Sequence, residues 1–369
     1  MIILNYIKNE KWFQGIRAED SLFMFSLKIM GQRELMKKNY GCDFVECLLC
    51  PTKKSFFIRI FNLNKAKEFH AYSLSQIKKD ENIIKIFLDK DQLLWKEIFI
   101  LCKKLKKACE EKNKEISKKL FIQICEKYKE YGLHFFVLFS LGMKLTEVGT
   151  NNKILLKMHD QWRNTVTFEE EKLGEAIWFF IDLYLGFNNP RDIMRYLTYE
   201  EVLKSLDDKT NIEKLVLKRK KDNYLFLGLR PKSDVIDDIK TIQIVGNYFS
   251  GLFKMKVIND LIEGRVTYAS DEVINGEVVL VKSKEELKGN YKGKILVAIQ
   301  TTPHFVPYLN GVKAIITDEG GVTSHAAIIS REFKIPAIVG TQIATKVLKT
   351  GDIVEITFKE GKVKKIDKK

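Results

Sequence analysis

The sequence predicts an α+β protein: a mostly helical N-terminal region followed by a compact, strand-rich α/β domain. Three observations predict it. From about Lys79 to Phe187, apolar residues recur at spacings of three and four between lysines and glutamates. After about Met255 this period gives way to short β-branched runs. Eleven of the 21 glycines fall in the last 119 residues and divide those runs.

Residues 1–80 read as a mixed α/β segment. Lys53–Asn62 (KKSFFIRIFN) is rich in strand formers and follows Pro51, which predicts a strand or hairpin. Residues 81–230 read as a helical domain. Glu97–Asn113 and Lys114–Tyr131 carry the helical period, and Gly132 and Gly149 read as segment ends. A second helical block runs from about Lys153 to Phe187. Thr167 with Glu170 reads as a capping box before a helix through Glu175 and Ile181. Asn188, Asn189 and Pro190 make a turn. Thr198 caps the short helix YEEVLKSL, with Glu200 and Glu201 in its first turn, where the helix dipole favours them. Asn211 starts a further helix toward Leu227. Residues 231–260 read as a linker, with its hinge at Pro231–Asp238. Residues 261–369 hold the β-branched runs Glu277–Val281, Lys294–Ile299, Val312–Thr317, Ala337–Val339 and Ile353–Phe358. Trp162, Trp178, Phe179, Phe180 and Tyr184 read mainly as core; an apolar pocket is the alternative.

Composition excludes several classes. The apolar stretch Ala176–Phe187 is interrupted by Asp182 and is too short to span a bilayer. The start, MIILNYIKNEKWF, is charged where a secretion signal needs an apolar core. A cytoplasmic protein with no membrane association is expected. The net charge of +15 raises nucleic acid as a partner. Yet only 10 of the 63 basic residues are arginine, the better fork for phosphate. The charge is also spread out. Residues 255–369 carry 18 basic and 14 acidic side chains, net +4, which leaves +11 for the other 254 residues. A solvated lysine-rich surface is the reading, and nucleic acid is not expected. Cys42, Cys47 and Cys50 have gaps seen in one iron–sulfur arrangement, but the sequence offers no paired fourth ligand. They read as ordinary apolar cysteines, with no metal site.

The chemistry sits in Val312–Gly340, VKAIITDEGGVTSHAAIISREFKIPAIVG. Val312–Thr317 reads as a buried strand and Asp318–Val322 as a loop with paired glycines. Thr323 or Ser324 caps a helix that runs to about Glu332, and Pro336 prevents its continuation. His325 then stands in the first turn of a helix leaving a glycine-rich loop. Free backbone N–H groups gather there and suit a phosphoryl group. The positive helix end favours the neutral, nucleophilic imidazole. The small Gly320, Gly321, Ala326 and Ala327 are expected to leave that ring unobstructed at the surface.

This segment resembles the swivelling phosphohistidine (mobile) domain of the phosphoenolpyruvate-utilising enzyme family. Gly320, Gly321, Thr323, Ser324, His325, Ala326, Ala327 and Ile328 match its signature. So do Ile335–Thr341 (IPAIVGT), Gly351–Ile356 (GDIVEI) and the upstream Lys294–Thr302. The resemblance covers about residues 264–366. In layout the chain is similar to the C-terminal part of phosphoenolpyruvate synthase, rifampicin phosphotransferase or phenylphosphate synthase. The fold implied for residues 261–369 is a swivelling β/β/α phosphohistidine domain. The resemblance implies that His325 is phosphorylated at one active site and delivers the group at another. It implies that Gly320, Gly321, Thr323 and Ser324 stabilise the phosphate. Thr323 also matches a regulatory phosphorylation position of some dikinases, although its residue type reads as a cap. Arg331 reads as solvated at the helix end, and His304 lies where relatives often carry a polar residue.

Asp192–Leu206 and Leu215–Tyr224 resemble, more loosely, the helical acceptor-side domain of such enzymes. No glycine-rich phosphate loop occurs before residue 254, and residues 1–254 cannot hold both those helices and an ATP-grasp domain. A separate ATP-grasp nucleotide-binding protein, bringing ATP and Mg, is therefore the expected donor partner. The acceptor is not identified. The expected function is a phosphotransferase subunit; the alternative is a non-catalytic binding or regulatory protein that retains the fold.

Overall fold

The computed structural model describes residues 2–14, 21–40, 43, 45–51, 57–80, 82–148, 153–186, 189–208, 212–229, 233–252, 262–270, 273–321 and 324–366. The chain forms two compact units. One comprises residues 1–148 and 168–254, the other residues 149–167 and 255–369.

The first unit opens with α1 (Ile2–Asn9), β1 (Trp12–Gln14) and α2 (Leu22–Tyr40). The hairpin expected near Pro51 forms from β2 (Cys47–Pro51) and β3 (Phe57–Asn62), antiparallel. Asn62 closes β3 and caps α3 (Leu63–Lys79), its side chain accepting from the Asn64 and Lys65 amides. Then come the long α4 (Ile83–Glu110), α5 (Lys114–Val148) and α6 (Lys153–Leu185). Gly132 does not end a helix; it lies inside α5. A Cβ on Gly132 would come 2.5 Å from Lys28 Cα of α2, and one on Gly31 of α2 would come 1.8 Å from Lys129 O of α5. The two glycines let the helix backbones touch, and that contact outweighs glycine's poor helix propensity. Thr167 likewise caps nothing, because α6 continues through it. Glu170 instead faces inward and accepts from Lys28 at 2.7 Å, beneath the Phe135 ring that sits 4.8 Å from the same ammonium. Phe180 stacks on Phe121 at 4.4 Å, so it is core, whereas Phe179 faces solvent.

Short helices follow: α7 (Pro190–Ile193), α8 (Tyr199–Asp207) and α9 (Ile212–Asp222). The predicted box on α8 is present. Glu201 N–H donates to Thr198 Oγ1 at 3.3 Å, and Thr198 N–H donates to Glu201 Oε2 at 2.8 Å. Asn189 caps α7, and Asn211 lies outside the described residues. The helix expected to reach Leu227 stops at Asp222, because Leu225–Gly228 is the buried strand β4. The stretch expected as a linker holds β5 (Asp234–Ile236) and α10 (Ile239–Leu252). The five strands form one antiparallel sheet, order β1-β3-β2-β4-β5, with Leu48 opposite Leu227. Apolar residues of α1 and α10, among them Ile7, Val245 and Phe249, cover the sheet with Trp12, Leu48 and Leu225. Burying that surface drives the assembly.

The second unit is built on a sheet of order β6-β13-β12-β8-β9-β10-β11-β7. Its strands are β6 (Ile262–Glu263), β7 (Arg265–Tyr268), β8 (Ile274–Val281), β9 (Ile295–Ala298), β10 (Ala314–Thr317), β11 (Ala337–Val339), β12 (Ile353–Thr357) and β13 (Lys362–Ile366). The centre, β8 to β11, is parallel, and β12, β13, β6 and β7 add antiparallel. The predicted β-branched runs are β8 to β12. The central strands β9 to β11 are buried throughout, as parallel strands covered on both faces must be. Two apolar clusters cover the faces, one around Val297, Ile316 and Val354, the other around Leu296, Ile315 and Ile329. Helix α11 (His325–Glu332) connects β10 to β11, and α12 (Ala344–Val347) follows. An α+β protein with a helical N-terminal region and a C-terminal mixed-sheet domain is the observed class.

Candidate functional site

The site lies where β9 and β10 end and α11 begins. The β10 exit loop turns at Gly320, whose φ is +118°. A Cβ there would meet Ser324 Oγ at 2.7 Å. Glycine therefore supplies both the backbone angle and the room. The freed Ser324 caps α11, accepting from Ala327 N–H at 3.3 Å, while its own amide donates to Gly321 O at 3.0 Å. Gly340 is also left-handed, at φ +73°, and a Cβ on it would press 2.9 Å from Gly320 O. Val322 and Thr323 lie outside the described residues.

Asp318 fixes the same loop from below. Its carboxylate accepts from the Thr345 amide at 3.0 Å, from the Thr345 hydroxyl and, at 3.2 Å, from the Thr341 hydroxyl. Sequence reading did not single it out. Its signal, an acidic residue after a buried strand, is common in turns.

His325 is the first residue of α11, as the sequence requires. Its imidazole is not open at the surface. The residue is 9% exposed, and Nε2 is buried with no hydrogen-bond partner. The expected exposure rested on small neighbours in sequence, but the cover comes from elsewhere in the chain. Thr301, at the end of the β9 loop, places Oγ1 2.9 Å from His325 Nδ1. Burial pushes the imidazole pKa down to about 3, and electrostatic repulsion from Arg163 and then from the His304 side lowers it further. Arg163 belongs to α6, within the stretch that packs with this unit. The ring is thus neutral and anchored at one nitrogen. With Nδ1–H donating to Thr301, Nε2 keeps its lone pair. Such a nitrogen is a nucleophile once it can be reached.

His304 lies in a 3-10 turn, Pro303–Tyr308, and Arg331 is exposed near the end of α11. Neither Thr301 nor Arg163 stood out in the sequence. Thr301 sat unmarked in a matching strand, and nothing local marks Arg163.

A family model described as PEP-utilising enzyme, mobile domain, matches residues 290–361. Residues 290–361 are similar to the mobile domain of the phosphoenolpyruvate-utilising enzymes. A probable phosphoenolpyruvate synthase of Archaeoglobus fulgidus is 47% identical over 93 residues, covering 25% of this chain and 12% of that protein. The uncharacterised phosphotransferase YvkC of Bacillus subtilis is 42% identical over 95 residues, 26% of this chain and 11% of that protein. Among solved structures, aconitase X of Thermococcus kodakaraensis is 21% identical over 29% of this chain and 98% of its own, with a TM-score of 0.24. The chain spans about an eighth of the length of the curated relatives it matches.

Among the described residues the cysteines form no candidate centre. Cys47, Cys102, Cys109 and Cys125 are buried thiols, and burial pushes the Cys102 thiol up to about 12. Cys42 lies outside the described residues, and of Cys50 only the backbone is described. Among the described residues no three or more His, Cys, Asp or Glu side chains group to hold a metal ion. Among them, too, no helix is long and apolar enough to cross a membrane.

Proposed function

We propose that this chain is a phosphoryl-carrier subunit of a phosphotransferase, with His325 as the transiently phosphorylated residue. One observation carries the reading. In a segment of the mobile-domain family, a neutral imidazole is held at Nδ1 by Thr301 and keeps Nε2 unpartnered at a helix start. Nε2 attacks the donor phosphorus. An N–P bond forms as the P–O bond to the donor breaks, and the electron pair leaves with that oxygen. An acceptor oxygen then attacks the same phosphorus, the N–P bond breaks, and Nε2 regains its lone pair. Backbone N–H groups of Gly320 and Gly321 would face the moving charge. A separate ATP-grasp protein supplies the donor site, with ATP and Mg bound there, and the setting is cytoplasmic.

The covered ring sets a condition: the donor reaches Nε2 only after the cover lifts. Incubation with labelled ATP and candidate ATP-grasp partners tests the proposal. Acid-labile label on the wild type, absent from His325→Ala, is expected. Label that persists on His325→Ala, or none with any partner, rejects it. The same covered ring favours a second reading, a non-catalytic binding or regulatory protein. On that reading His325→Ala retains full function in cells.

A further inference from the structure

Helix α4 turns one face to α5. Trp95 packs there on Tyr131, with ring centres 4.7 Å apart, and Ile84, Leu88, Ile98 and Leu105 on the same side are closed off from water. The opposite face of such a helix is expected to be polar. It is not polar throughout. Ile86, Leu93 and Ile100 are 47%, 59% and 54% exposed. They stand seven residues apart, so all three fall on one line along the helix. A single exposed aliphatic residue is ordinary, but three on one line form a stripe about 21 Å long.

The charges beside the stripe say what fits it. Asp89 and Lys96 lie along one flank, each three residues after a member of the stripe, and both are exposed. In a parallel pair of copies Asp89 would meet Asp89, and Lys96 would meet Lys96. In an antiparallel pair with the two-fold axis at Leu93, Ile86 lies opposite Ile100, and Leu93 lies opposite itself. Asp89 of one copy is then level with Lys96 of the other to within about 1.5 Å along the helix. On the other flank the same axis brings Lys90 beside Glu97, which also holds Lys127 of its own chain at 2.6 Å. A two-fold interface needs a patch that is complementary to itself in this way.

We infer that the exposed face of α4 docks a second copy of this chain, the two helices running antiparallel with Leu93 at the centre. The apolar line supplies the attraction, and the flanking charges set the direction. The stripe's length limits its strength. Three side chains from each copy bury less than the roughly 800 Å² per partner of a standard interface, so the dimer forms and parts readily. The inference concerns the first unit alone and does not depend on the chemistry of His325.

Sedimentation velocity on the full chain, at concentrations from about 1 to 500 μM, tests it. The wild type should pass from monomer to dimer across that series. Leu93→Lys sets two ammonium groups face to face at the axis and should stay monomeric. Leu93 is exposed, so this variant should keep the wild-type far-UV circular dichroism. Asp89→Lys replaces two attractive contacts by two repulsive ones and should weaken the dimer on the order of tenfold. Lys96→Asp should do the same. The double variant Asp89→Lys with Lys96→Asp exchanges the charges and should restore the wild-type dimerisation constant, because antiparallel pairing puts those two positions opposite each other. A wild type that is monomeric at every concentration overturns the inference and leaves the stripe to a different partner. A dimer unmoved by Leu93→Lys overturns it too, since the contact then lies elsewhere. A double variant that stays as weak as the single ones overturns the antiparallel pairing.

Discussion

Thr301 Oγ1 lies 2.9 Å from His325 Nδ1, and this contact fixes which imidazole nitrogen is left to react. A side chain on the β9 loop thereby sets the chemistry of a residue on α11, 24 positions later. Thr301→Val keeps the shape and removes the anchor. Loss of one buried hydrogen bond is worth about 1 kcal/mol. The rate of acid-labile labelling of His325 should fall about fivefold, with the far-UV circular dichroism unchanged. An undiminished rate would show that the hydroxyl does not orient the ring.

Protonation gives a second expectation. The His325 pKa is pushed down to about 3 and that of His134 to about 4, each first by burial. In the unfolded chain both titrate near 6.5. The unfolded state therefore binds more protons between those values, and stability falls as pH drops from about 6.5 toward 3 to 4. Above pH 7 these two groups contribute no slope. Urea midpoints at a series of pH values measure this, and His134→Phe should flatten the acid limb. Labelling of His325 should likewise hold its rate down to about pH 5, where a histidine of ordinary pKa is already protonated.

The crossing of α2 and α5 gives a third. Gly31→Ala puts a methyl group 1.8 Å from Lys129 O, so the helices must part. A cost of about 3 kcal/mol or more is expected by chemical denaturation. Gly246→Ala on α10 is the control. Nothing lies within 4 Å of its added methyl, so it should gain up to about 1 kcal/mol.

Glu201 gives a fourth. Arg219 is only 3% exposed and donates twice to this carboxylate, at 2.8 and 2.7 Å. The same carboxylate accepts from Thr198 N–H. Glu201→Leu leaves a buried guanidinium without its main partner and should cost about 3–5 kcal/mol. Thr198→Ala removes only the other half of the cap and should cost about 1 kcal/mol. Urea denaturation ranks them, and equal costs would mean that the ion pair adds nothing.

Legibility in the sequence followed the range of the forces. The box at Thr198 and Glu201, the cap at Ser324 and the runs from β8 to β12 are local, and each was visible. Gly132 reads as a stop in the sequence because a glycine inside a helix looks like one until the partner backbone is known. Leu225, Phe226 and Leu227 read as helix in the sequence because three apolar residues fit either period. Lysine-rich β13 shows no clean alternation, with Val363 buried and both Lys364 and Lys365 exposed. At the site, His325 and its turn were legible from eight contiguous residues. Thr301 and Arg163 were not, since only the folded chain brings them to the ring, and with them came the burial that local sequence did not suggest.

The pairing of Leu48 with Leu227 bears on synthesis. Strand β2 takes β3 on one side within a few residues, but its other side waits for β4, which is made some 180 residues later. Until Leu225–Gly228 leaves the ribosome, the backbone of Cys47–Leu49 is an open template for any extended chain nearby. Cells making this protein therefore have a long interval in which an early strand must be kept from the wrong neighbour.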